Sequence, residues 1–237
     1  MLIFALDSSA VVATVALYRD KTPLASFTLK NGNTHSETLL PMAKALFDVT
    51  GYTPHDVDVF ACSEGPGSFT GVRIGAATVK GLAFGKNKTV IGVSTLEAMA
   101  RNLLPAKGVI CPVMNARRAQ VYNALFLADG EALVRLCPDR ALSAADLADE
   151  LRARGEPFYL VGDGIDVAKA ALGDLLPLPC PALVAEQHAA GVAEAARLLY
   201  EAGVRTTDKD LSPVYLRLPQ AERERLEKEQ ASKKEGN

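Results

Sequence analysis

Residues 64–75 read EGPGSFTGVRIG, and this stretch decides the fold. It follows a short apolar run at 57–62, and Gly65-Pro66-Gly67 force a tight turn at the end of that strand. Ser68 and Thr70 can each cap the helix that begins there, so Gly65, Pro66, Gly67, Ser68 and Gly71 form a strand-turn-helix joint with close packing. A helix N-terminus carries free amides and a partial positive charge that suit an anion. The loop is nevertheless no Walker A motif, because Val72 follows Gly71 where Lys and Ser/Thr belong, and it lacks the GxSxG order of a hydrolase elbow.

Working outward, the residues before the joint read as three strands, 2–6, 11–18 and 24–29, in a meander. THSE at 34–37 fits a capping box, opening a helix to about 49 that Pro41 should bend. After the joint come a helix over 70–86, a strand over 89–93 and a helix over 95–103 capped by Ser94. Near Pro105 the pattern restarts: strands at 109–114, 119–127 and 132–136, a Ser-capped helix at 143–154, a strand at 158–161, and helices at 166–172 and 184–202. Both halves thus read βββαβα without sequence identity, which predicts an α/β chain of two lobes, 1–104 and 105–219, and a charged tail, 220–237.

Composition narrows the function. Hydrophobic residues are 49% and charged residues 23%, which suits a folded globular chain; with 6% aromatics and no Trp the core must be Ala, Leu and Val. A net charge of -2 argues against this chain alone gripping a phosphate backbone. Cys62, Cys111, Cys137 and Cys180 are too scattered for a zinc or redox pair, and His35, His55 and His188 have no metal spacing. The start, MLIFALDSS, is no signal peptide, and no segment approaches the ~20 apolar residues of a membrane span. A cytosolic protein is expected.

Two helices stand out. From Thr70 to Lys86 only Arg73, Lys80 and Lys86 are charged, and the first helix is apolar nearly all round. Such helices are buried on more than one side. One side must face the sheet, and the other lies under the second lobe or meets another protein. The i,i+4 glycine pairs Gly71/Gly75 and Gly81/Gly85 should each present a flat surface. The candidate interface is Leu39, Leu40, Ala43 and Phe47 with Thr70, Arg73, Ala77, Lys80 and Phe84.

Eight segments together resemble one family: ALDSS (5–9), HSETLLP (35–41), EGPGSFTGVRIG (64–75), KGLA (80–83), STLEA (94–98), NARRAQVY (115–122), GDG (162–164) and PVYLR (213–217). In this order they are similar to the TsaB (YeaZ) family. The resemblance implies a duplicated actin-like, ribonuclease-H-like fold. It further implies a non-catalytic subunit in synthesis of N6-threonylcarbamoyladenosine on tRNA, pairing with a catalytic TsaD-like paralogue that a TsaE-like ATPase joins. Contact with tRNA would then be indirect. The reading assigns no catalytic residue, no metal and no cofactor of the chain's own, and leaves open ATP or ADP at the junction with the partner. Thr95 and Met99 stand where TsaD carries metal-binding histidines, and neither is a good ligand. An unpartnered apolar face implies a homodimer when the chain is alone.

Two other readings stay in view. An actin-like kinase or ATPase would use Asp7 or Asp163, although Ser8-Ser9-Ala10 lack the glycine that admits a phosphate. A peptidase finds no HExxH, nucleophile elbow or clustered acid and His. Asn115 replaces the family's Asp and reads as a turn former. Arg117 and Arg118 suit a phosphate, an acidic partner or a solvated turn.

Overall fold

The structure, a computed structural model, describes residues 1–217. The expected tail, 220–237, and the end of the expected second lobe lie outside the described residues. The first sheet comprises β1 (Leu2–Asp7), β2 (Ala13–Arg19), β3 (Thr22–Leu29), β4 (Val59–Gly65) and β5 (Thr89–Ser94) in the order β3-β2-β1-β4-β5. The first three strands form the antiparallel meander, and β4 and β5 run parallel to β1 and to each other. All six residues of β1 are buried, so this central strand reads as an unbroken apolar run without alternation.

Helices α1 (His35–Thr50) and α2 (Phe69–Ala83) cover one face, where Leu39, Leu46, Ala76 and Val79 meet Phe4, Leu6 and Phe60. Glu37 reaches back to the Thr34 N–H (3.3 Å) and hydroxyl (2.9 Å). Ser94 caps α3 (Thr95–Arg101) by accepting the Glu97 N–H at 3.2 Å.

The second sheet follows the same plan. The long β6 (Lys107–Arg117) turns back on β7 (Gln120–Asn123) and β8 (Phe126–Asp129), which hold one register along it up to an irregularity between Asn115 and Arg117. A third, broken strand, β9 (Leu133–Arg135) and β10 (Arg140–Ser143), completes the meander, and β11 (Phe158–Val161) joins β6 in parallel. Among the described residues, the place of a fifth strand holds only a bridge between Tyr159 and Leu178. Helices α4 (Ala144–Arg154) and α5 (Ile165–Leu172) share a core with this sheet through Leu147, Leu151 and Leu172.

The last helix departs from the two-lobe expectation. Residues 182–184 are a 3-10 turn, and α6 (Ala189–Glu201) starts five residues later than read from sequence. Its Ala189, Val192, Ala193 and Ala196 pack against Ile3, Ala5, Ala61 and Ile91, so it covers the other face of the first sheet. Such small residues let the helix lie close: a Cβ on Gly191 would be 1.9 Å from the Ala98 carbonyl of α3. The chain beyond α6 stays with the first sheet, exchanging hydrogen bonds between Thr206 and Val90. The expected lobe 105–219 therefore gives up its final helix and the strand-like segment after it to the first lobe.

The β6–β7 turn is strained. Arg117, Arg118 and Ala119 all have left-handed backbone, with φ of 63°, 53° and 55°. Asn115 shapes the turn by accepting the Arg117 N–H on its side-chain oxygen at 2.8 Å, the role expected of it. Ala119→Gly is expected to raise stability by about 1 kcal/mol, because a left-handed non-glycine residue costs roughly that amount. The urea midpoint checks this.

Candidate functional site

The glycine loop is closed by the chain itself. Ser68 donates its N–H to the Ser9 carbonyl at 2.7 Å, and the Gly71 N–H goes to the Ser68 hydroxyl at 3.2 Å. A Cβ on Gly67 would lie 2.5 Å from the Ser9 carbonyl oxygen, and one on Gly71 only 2.1 Å from that of Ser8. Gly75 continues the row, with the Ser8 hydroxyl 2.5 Å from its virtual Cβ. Gly71 and Gly75 therefore do present a flat surface, but it faces the β1–β2 turn. Of the second pair, Gly81 is open with nothing within 4 Å, and Gly85 lies past the helix end with φ of 71°.

These contacts test the fold's implied phosphate site. The Ser8 and Ser9 carbonyls stand where an anion would approach, and carbonyl oxygens repel it. The loop does not fit a nucleotide phosphate.

Beneath the loop Asp7 is buried. Its carboxylate accepts the Ser9 N–H (2.8 Å), the Ser9 hydroxyl (2.6 Å) and the Ser63 hydroxyl (2.5 Å), stapling β1 to its own turn and to β4. Burial pushes its pKa above the ordinary 3.8, against the pull of those hydrogen bonds. The raised value means that the folded chain holds the proton more tightly than the unfolded chain. That stabilising share is complete below 3.8 and lost as pH rises through the folded value. Asp7→Asn keeps the Ser9 contacts and removes this titration, so its stability relative to the parent is expected to rise as pH rises from 3.8 through the folded value. Urea unfolding of both proteins across the acid range measures the difference.

A cleft of about 610 Å³ separates the loop from the end of β6, with Asp163 exposed on its far side. The segment 213–217, PVYLR, spans it. Val214 donates its N–H to the Glu64 carbonyl (2.7 Å), and Arg217 donates to the Ala116 carbonyl (2.9 Å). Between them Tyr215 packs on Phe69, centroids 4.7 Å apart, and accepts a hydrogen bond from Arg73 Nε at 2.7 Å. The Arg73 guanidinium sits 3.8 Å over the Phe69 ring. No local signal in the sequence links positions 73 and 215, which lie 142 residues apart.

Two of the three histidines make structural contacts. His35 Nε2 bonds the Ala10 carbonyl at 2.6 Å, tying α1 to the β1–β2 turn, and His188 Nδ1 caps α6 by accepting the Ala190 N–H. Thr95 and Met99 are buried in the core around α3. The thiols of Cys62 and Cys111 are buried and pushed up, that of Cys111 to about 12, which makes them unreactive.

The outer face of α1 and α2 divides the expected interface residues. Leu39, Ala43 and Phe47 are buried in the chain's own core and cannot meet a partner. Leu40 is 58% exposed and Phe84 75% exposed, and Thr70, Arg73 and Ala77 are exposed with Lys80 half-buried. Thr70, Arg73, Ala77 and Gly81 thereby share one exposed face of α2 that ends in Phe84 just past the helix, and Leu40 is exposed on α1, which packs against α2. Sequence reasoning missed Gly81 as part of that face.

A relative from Bacillus subtilis, a tRNA threonylcarbamoyladenosine biosynthesis protein TsaB, is 32% identical over 96% of this chain and 99% of its own. The chain belongs to the TsaB family. The TsaB protein of Escherichia coli is 37% identical over 54% of this chain and 56% of its own. The solved structure of YeaZ from Pseudomonas aeruginosa, 27% identical, superposes with a TM-score of 0.79 over 91% of this chain and 99% of that one. The family model for TsaD, tRNA N6-adenosine threonylcarbamoyltransferase, also matches residues 30–225. The duplicated α/β architecture described above, which the resemblance implied, is thus shared with that YeaZ structure.

Proposed function

We propose that this chain acts in tRNA N6-threonylcarbamoyladenosine synthesis as a non-catalytic subunit. It docks through the outer face of α1 and α2 on a TsaD-type catalytic paralogue, and a TsaE-type ATPase joins the pair. The observation that carries the reading is the exposed face of α2 that ends in Phe84, together with Leu40 exposed on the adjoining helix: large apolar side chains left open on two packed helices suit a partner surface. Alone, the chain covers the same stripe with a second copy.

The self-closed glycine loop favours this reading over a free-standing kinase or ATPase, and Asp7 is already engaged by three donors. Any ATP or ADP belongs at the junction with the partner, and tRNA is reached through the assembly. Reconstitution tests the proposal. Threonylcarbamoyl transfer to tRNA by the TsaD-type and TsaE-type proteins of the same organism is expected to require this chain; full transfer without it would refute the proposal.

A further inference from the structure

Strand β5 is the outer strand of the first sheet, and among the described residues its outer edge is paired at one rung only. Val90 donates its N–H to the Thr206 carbonyl (2.9 Å) and accepts the Thr206 hydroxyl (2.6 Å). Backbone groups alternate between the two edges of a strand, so the N–H and C=O of Gly92 point to the same edge as those of Val90. The chain does not follow them. After Thr206 it turns away, in a turn closed by Thr207 N–H and hydroxyl on the Asp210 carboxylate at 2.8 and 2.7 Å.

What remains is a groove of about 390 Å³ that wraps the sheet edge, with Glu64 and Leu211 on one side of Gly92, and Leu199 and Val204 on the other. Glycine is built into it: a Cβ at position 92 would lie 1.9 Å from Glu64 Oε2 and 2.9 Å from Leu211 Cδ1. The Glu64 carboxylate therefore lies across the strand. It is half-buried and makes no ion pair among the described residues, whereas Glu97 and Asp139 nearby are both bridged by Arg135. Of the other acids lining the groove, Glu97 is ion-paired and Asp210 is held by Thr207, so an open strand edge, apolar walls and the Glu64 carboxylate define a complementary ligand. Edge pairing supplies affinity and the charge supplies choice.

We infer that the free edge of β5 is a docking groove for an extended basic segment of a partner protein, which pairs its backbone with Gly92 and sets a lysine or arginine against Glu64. The groove shares no residue with the α1–α2 stripe, so the inference stands or falls independently of the proposed function.

The test is an amide NMR titration of the full ¹⁵N-labelled chain with a capped pentapeptide, acetyl-Thr-Val-Lys-Val-Thr-amide. The expected result is a saturable shift of the Gly92 resonance, with Gly51 unmoved. Binding is expected to weaken about tenfold when the peptide lysine becomes glutamate, and about tenfold again in Glu64→Gln with the basic peptide. Gly92→Ala, which displaces the carboxylate, is a second variant expected to weaken binding. An unmoved Gly92 resonance would overturn the inference. So would equal binding of the basic and acidic peptides, or undiminished binding by a folded Glu64→Gln protein.

Discussion

Ala77→Arg is expected to weaken pairing with the TsaD-type partner about 100-fold or more while leaving the fold intact. Position 77 lies midway along the stripe formed by Thr70, Arg73, Gly81 and Phe84, and its side chain is exposed. A long cation there holds the two surfaces apart and is desolvated without a counter-charge, at a cost of about 3 kcal/mol or more. The unpartnered chain should be unaffected, because arginine is a good helix former and an exposed site tolerates it within about 0.5 kcal/mol. Phe84→Ala removes the most exposed aromatic of the stripe and should cost about 2 kcal/mol of binding, as for a buried aromatic anchor. Titration calorimetry gives both affinities, and the urea midpoint of each variant alone confirms folding. Unchanged affinity in both would move the interface elsewhere.

The second large effect separates two glycines of one helix. Gly71→Ala is expected to destabilise the chain by about 3 kcal/mol, since the new methyl group meets the Ser8 carbonyl oxygen, backbone that no rotamer change can clear. Gly81→Ala is expected to stabilise it by up to about 1 kcal/mol, since nothing lies within 4 Å and alanine is the better helix former. Opposite signs in urea unfolding would establish that the first glycine faces the β1–β2 turn and the second faces outward. Equal effects would contradict the packing described.

Much of this architecture was legible because its signals are local. The serines at 68, 94 and 143 each cap the helix that follows, and the strand runs alternate or stay apolar according to how many faces they bury. The phase of α1 was not legible. With apolar side chains nearly all round, sequence could not separate Leu39, Ala43 and Phe47, which point inward, from Leu40, which points out. Nor could spacing show which way each glycine of α2 faces. Two further features depend on contacts distant in sequence: the crossing of α6 to the first sheet, and the meeting of Tyr215 with Phe69 and Arg73. The left-handed run at 117–119 was hidden as well, since no residue there is glycine.

The central claim is that the α1–α2 face docks a catalytic partner. Calorimetric titration of the unmodified chain with the TsaD-type protein of the same organism, at several temperatures, tests it most directly. The account predicts a saturable one-to-one complex with a negative heat-capacity change from apolar burial. Two folded chains that form no complex, or a complex that Ala77→Arg enters with unchanged affinity, would contradict it.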